Sequence, residues 1–188
     1  MEPEIMVAIV AAVIALVTAL VNAIMYLNSS KKSAVLKVIV ETRIGYLQSL
    51  RNANATFIGI ANPDVVLHCA KIASTEYIYP KDLADAVGSL KTLLKPFYPI
   101  ERELIEKIDS IESGCLDLFM KGEAPGSTES LRNELATYTK MFAQYDWAYW
   151  QYIIKQADGK FKNSNVDFDE VYKETGRCIA ETYDYDWK

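Results

Sequence analysis

The chain holds 188 residues, with 20 basic and 25 acidic side chains and a formal charge of −5. Its basic residues are interspersed with acids, which argues against the basic face that nucleic-acid binding needs. Mean hydropathy is near zero, but it averages an almost wholly apolar opening of roughly 30 residues with a polar remainder long enough for one packed domain.

Ile5 to Leu27 carries no charge, no Gly and no Pro, and Thr18 and Asn22 are its polar residues. As a helix this run is about 34 Å long and crosses a hydrocarbon core of about 30 Å with modest tilt. A buried soluble helix is rarely apolar all round at this length. A secretory signal wants a basic start and a shorter run, whereas Glu2 and Glu4 stand here. Residues 1–30 are therefore expected to be a retained transmembrane anchor. Lys31, Lys32 and Lys37 follow it, so the positive-inside rule places residues 31–182 in the cytoplasm at the inner (plasma) membrane, with a very short N-terminal tail outside. Asn28-Ser29-Ser30 and Asn54-Ala55-Thr56 are then chance matches to the glycosylation triplet. Within the anchor Ala11, Ala15, Ala19 and Ala23 recur every fourth residue, with Ala8, Thr18 and Asn22 close to the same stripe. Small residues at this spacing let two helices approach, and Asn22 can hydrogen-bond across the contact, so a homo-oligomer is expected.

The next pattern is helical: Leu36, Ile39, Val40, Ile44, Leu47, Leu50, Phe57 and Ile58 recur at three- and four-residue steps. Asn62-Pro63 ends that helix and opens another reaching about Tyr77, since Asn caps well and Pro suits a first helical position. Tyr79-Pro80 reads as a break, followed by an amphipathic helix through Leu83, Val87, Leu90, Leu93 and Leu94. Lys95-Pro96 to Pro99 predicts a turn. Ile100 to Lys121 predicts a helix with Leu104, Ile108, Ile111, Cys115 and Leu118 on one face. Residues 122–126, Gly-Glu-Ala-Pro-Gly, form the clearest loop. Ser127 is the expected cap of a long helix to about Ala157, whose stripe is Leu131, Leu135, Tyr138, Phe142, Tyr145, Tyr149 and Tyr152, with Trp147 and Trp150 alongside. Asp158-Gly159 should end it. Val166 to about Thr182 should form a last helix before an acidic aromatic tail, residues 183–188, read as a frayed end or a short linear motif. The expected fold is all-α: a transmembrane helix followed by a cytoplasmic bundle of about five to six helices.

The segment Val38-Ile39-x-x-x-Arg43-Ile44-x-Tyr46-Leu47-Gln48-x-Leu50-Arg51 resembles a juxtamembrane motif, V-I-x-x-x-R-I-x-W-I-Q-x-L-R, of uncharacterised bacterial single-pass membrane proteins. Leu93-Leu94-Lys95-Pro96 and Glu101-Arg102-Glu103-Leu104-Ile105 stand where those proteins carry a leucine-rich stretch ending in Asn-Pro and then an acidic helix. Trp150 to Lys155 echoes a late Trp close to a Lys. The resemblance spans residues 5–155, with Tyr46 for the usual Trp and Lys95 for the Asn. Proteins of this look have no established activity to carry over; some occur in prophages and defence islands.

Arg43 and Arg51 lie about 12 Å apart on nearly one helix face. The expectation is structural ion pairing with acids such as Glu101, Glu103 or Glu106; contact with lipid phosphates is the alternative. His68 and Cys69 are sequence neighbours and point about 100° apart on a helix, so they read as packing residues and not as a base and its nucleophile. Cys69, Cys115 and Cys178 are odd in number and far apart, with no CxxC pair, and read as reduced thiols. Glu101, Glu103 and Glu106 look like a solvated helix start favoured by the dipole. No phosphate loop or nucleophile elbow occurs, so no enzyme, metal or cofactor is expected. Trp147, Trp150 and Tyr149 form a candidate partner surface, since aromatic rings supply contact area at low entropic cost. The function expected is a membrane-tethered interaction module that self-associates or holds a protein partner, in contact with membrane lipid. The alternative is a membrane-perturbing oligomeric effector, in phage defence, with Thr18 and Asn22 lining a leak.

Overall fold

The computed structural model describes residues 37–72, 79–122, 124–157 and 167–183, and these form six helices and no strand. None of the described helices is long and apolar enough to cross a membrane. The expected anchor, with Ala11, Ala15, Ala19, Asn22 and Ala23, lies outside the described residues, as do the Asp158-Gly159 break and the tail 184–188. Two compact units divide after Thr42. Residues 37–60 are helical; 37–42 belong to the first unit, and 43–60, here α1, to the second.

In the first unit, Lys37 pairs with Glu41 at 3.8 Å and the Thr42 hydroxyl donates to the Val38 carbonyl. Val38 and Ile39 are exposed.

The second unit is a helical bundle. α1 buries Leu47, Leu50 and Phe57, and Ala61 just beyond its end, at the expected three- and four-residue steps. Its last turn closes from the Ala61 N–H to the Phe57 carbonyl, and Asn62 then caps α2 (Pro63–Ile72) by accepting from the Asp64 N–H at 2.9 Å. Pro63 sits at the first helical position, where its missing N–H costs nothing.

α3 runs Tyr79–Leu93 and so begins at the dipeptide read as a break. Pro80 falls in the first turn, where proline is tolerated. Lys95-Pro96 does end it, and the Phe97 N–H turns back to the Lys95 carbonyl at 2.7 Å. α4 (Pro99–Lys121) starts on a proline and buries Ile100, Leu104, Ile108, Ile111, Cys115 and Leu118 along one face. Gly122, at φ 72, donates to the Leu118 carbonyl and stops the helix in a backbone region that favours glycine.

α5 (Ser127–Ala157) is 31 residues long. Ser127 does not cap it. The Gly126 carbonyl accepts the Ser130 N–H and opens the helix, so Ser127 is one residue too far in. Its hydroxyl instead donates to the Ala124 carbonyl and accepts from the Ala124 N–H, closing the loop. α6 (Phe168–Tyr183) starts slightly later than the periodicity suggests, because Asp167 caps it, accepting from the Asp169 N–H at 3.1 Å. α5 packs on α4, α6 and α2, while α4 also holds α2 and α3. The aromatic stripe of α5 thus lies in the middle of the bundle.

Candidate functional site

The inward face of α5 is built from rings. Tyr138 and Tyr145 are fully buried, and Phe142 nearly so. Tyr138 meets Phe57 of α1 edge-on at 5.5 Å between centroids and donates its hydroxyl to buried Asn54 at 2.6 Å. Toward the C-terminal end the hub is Phe168, the first residue of α6. Its ring lies 5.4–5.7 Å from those of Tyr145, Tyr149 and Tyr152 and 5.2 Å from that of Tyr98.

One acid is buried among these rings. Glu101, in the first turn of α4, is 3% exposed. Its Oε1 accepts from the Tyr145 hydroxyl at 2.6 Å and its Oε2 from the Lys95 N–H at 3.2 Å. Burial raises the Glu101 carboxyl above its ordinary value, while these two bonds pull the other way. Burial likewise pushes the Tyr145 hydroxyl up. The Tyr46 hydroxyl donates to the Leu93 carbonyl at 2.9 Å and lies 3.4 Å from the Tyr145 oxygen. Either hydroxyl can be the donor in this longer contact; each phenol has one proton, so the donor shares that proton with the shorter bond it already makes. With only a carboxyl and two unactivated phenols, the cluster holds no nucleophile poised for chemistry.

Arg51 and Arg43 point at α5 and not at the acids of α4. Arg51 forks onto Asp146, Nε to Oδ1 at 2.7 Å and Nη2 to Oδ2 at 2.8 Å. Arg43 donates to Gln156 and lies over the Tyr152 ring at 4.6 Å. The physical reason is register: Tyr46, Leu50 and Phe57 seat α1 in the core beside Tyr149, Tyr145 and Tyr138, and the arginines flank that seam. Glu103 and Glu106 are exposed.

His68 is exposed and Cys69 half-buried on α2. The buried Cys115 thiol donates to the Ala61 carbonyl at 3.6 Å, and burial pushes it up to about 11, which leaves it unreactive at neutral pH. A shallow cleft of about 240 Å³ lies between the end of α4 and the start of α5, with Asp117, Lys121, Ser130 and Glu134 on its walls. It is remote in sequence from the Glu101 cluster and brings no catalytic set together.

The three residues of the expected partner surface separate. Tyr149 turns inward to Tyr46, Tyr145 and Phe168. Trp147 is 49% exposed and Trp150 half-buried, and Ile154, 38% exposed, continues their row. Sequence reasoning did not single out Ile154, although its spacing of seven from Trp147 was the signal, and it read Glu101 as solvated. No family model matches the chain, and no curated protein or solved structure is significantly similar to it.

Proposed function

We propose that the chain is a membrane-tethered helical interaction module that self-associates or holds a partner at the inner membrane. The observation that carries this reading is the row Trp147 and Ile154, large apolar side chains exposed on one face of α5. The opposite face of the helix, with Tyr138 and Tyr145, is buried in the core, so among the described residues this row is left open. Covering such area is worth about 25 cal/mol per Å², a gain that association supplies. The uncharged run Ile5–Leu27 supports the tether.

The test uses the full chain. Membrane fractionation should recover it with the bilayer, and light scattering in mild detergent or crosslinking in cells should give an assembly. A strict monomer that captures nothing in cells overturns the reading.

A further inference from the structure

We propose that the outer face of α5 pairs antiparallel with the same face of a second copy of this chain. The inference rests on the self-association reading and names the surface that performs it.

At 100° per residue, Ala136, Ala143, Trp147 and Ile154 all lie within about 20° of the line directly opposite Tyr145, the innermost residue of the helix. Ala136, Ala143, Trp147 and Ile154 are exposed, and Lys140 and Trp150 are half-buried beside them. Positions 136, 140, 143, 147, 150 and 154 step by four and three alternately, the seam spacing of a two-helix contact.

The bulky apolar side chains of this seam are at one end. Ala136 and Ala143, with Lys140 between them, occupy the N-terminal half, and Trp147, Trp150 and Ile154 the C-terminal half. In a parallel pair each residue meets its own copy. Alanine layers would then want close axes where tryptophan layers force them apart. An antiparallel pair centred on position 145 resolves this conflict. Ala143 faces Trp147 of the second copy, Ala136 faces Ile154, and Lys140 faces Trp150. Every layer then joins a small or slender side chain to a bulky one. The surface is self-complementary under a two-fold axis, as an isologous dimer requires.

The seam is about 27 Å long and a helix contact about 10–12 Å wide, so each copy covers about 300 Å². That is well below the roughly 800 Å² per partner of a stable soluble dimer. The pair is therefore weak in free solution and depends on the raised effective concentration that a common bilayer provides.

The test is a knob-and-hole exchange in the full chain reconstituted in liposomes, read by crosslinking. Trp147→Ala leaves facing holes and Ala143→Trp leaves facing knobs, so each should lower the fraction of copies crosslinked through α5, with affinity reduced about thirtyfold for a hot-spot tryptophan. The double variant should recover it, since Trp at 143 then meets Ala at 147. Both positions are exposed, so the fold is retained, which circular dichroism checks. Register is read with Cys69 and Cys178 changed to Ser and a thiol crosslinker of about 10 Å. A mixture of Ala136→Cys and Ile154→Cys chains should link, whereas Ala136→Cys alone should not, its two copies lying about 27 Å apart by helix rise. Self-linking of Ala136→Cys, or a crosslinked fraction unmoved by both single variants, overturns the proposal. In the second case the chain still self-associates through another surface, and this face is left to lipid or a different protein. Absence of any assembly in the unaltered chain overturns the wider reading as well.

Discussion

At the scale of single residues, Glu101 is the side chain whose environment departs most from what its sequence neighbours imply. Glu101, Glu103 and Glu106 stand near the start of one helix, and first-turn acids are usually solvated. Glu103 and Glu106 are exposed, but Glu101 is turned inward to Tyr145, a partner 44 residues away that no local pattern could reveal. Burial raises its carboxyl above the ordinary 4.5. The folded chain therefore holds this proton more tightly than the unfolded one. Folding gains from it below the ordinary value, and the gain is lost as the pH rises through the raised folded value. Glu101→Gln removes that term. Urea unfolding in mild detergent should show the unaltered chain losing stability relative to the variant from about pH 4 upward, then running parallel to it at neutral pH; parallel behaviour throughout would refute the assignment. Arg51 marks the other extreme. Its fork onto Asp146 is well formed, but the Arg51 side chain is 42% exposed, so Arg51→Ala should cost less than about 1 kcal/mol by the same measurement.

At the scale of the helix, legibility followed the range of the interactions. Asn62-Pro63, Lys95-Pro96 and the loop with Gly122 are local signals, and each bounds a helix in the structure. The burial of the α5 stripe was legible too, because Tyr138, Phe142 and Tyr145 keep one face through a 31-residue helix. What could not be read was which residue fills the space among the rings. Phe168 stands at the first turn of α6, outside any long periodic run, yet it contacts Tyr98, Tyr145, Tyr149 and Tyr152. It is 1% exposed. Phe168→Ala should destabilise the second unit by about 3–5 kcal/mol, as phenylalanine truncation in a core does. Hydrogen exchange should show the protection of α6 falling before that of α4, because α6 packs on α5 while α4 also holds α2 and α3. Equal loss in both helices would mean that the ring cluster is not the seat of α6.

At the scale of the whole chain, the proposed reading gives one polypeptide two surfaces for copies of itself: the small-residue stripe Ala11, Ala15, Ala19 and Ala23 with Asn22, and the outer face of α5. Each is isologous, so each alone closes at a dimer. The antiparallel α5 pair closes about a two-fold axis of its own. If the stripe pairs the same two copies about that same axis, assembly stops at two. If the axes differ, each copy has a separate neighbour at each surface and the assembly grows as a row. Amine crosslinking in liposomes separates these cases. A row gives a ladder of multimers that falls to dimers in Trp147→Ala and in Asn22→Leu, and to monomers when both are changed. A shared axis gives dimers throughout, weakened but not abolished by either change alone. Following membrane potential in cells that express the same variants tests the alternative role of the anchor: leakage that Asn22→Leu abolishes and Trp147→Ala spares would make Asn22 part of a pore, whereas intact potential in every variant leaves it as a contact between copies.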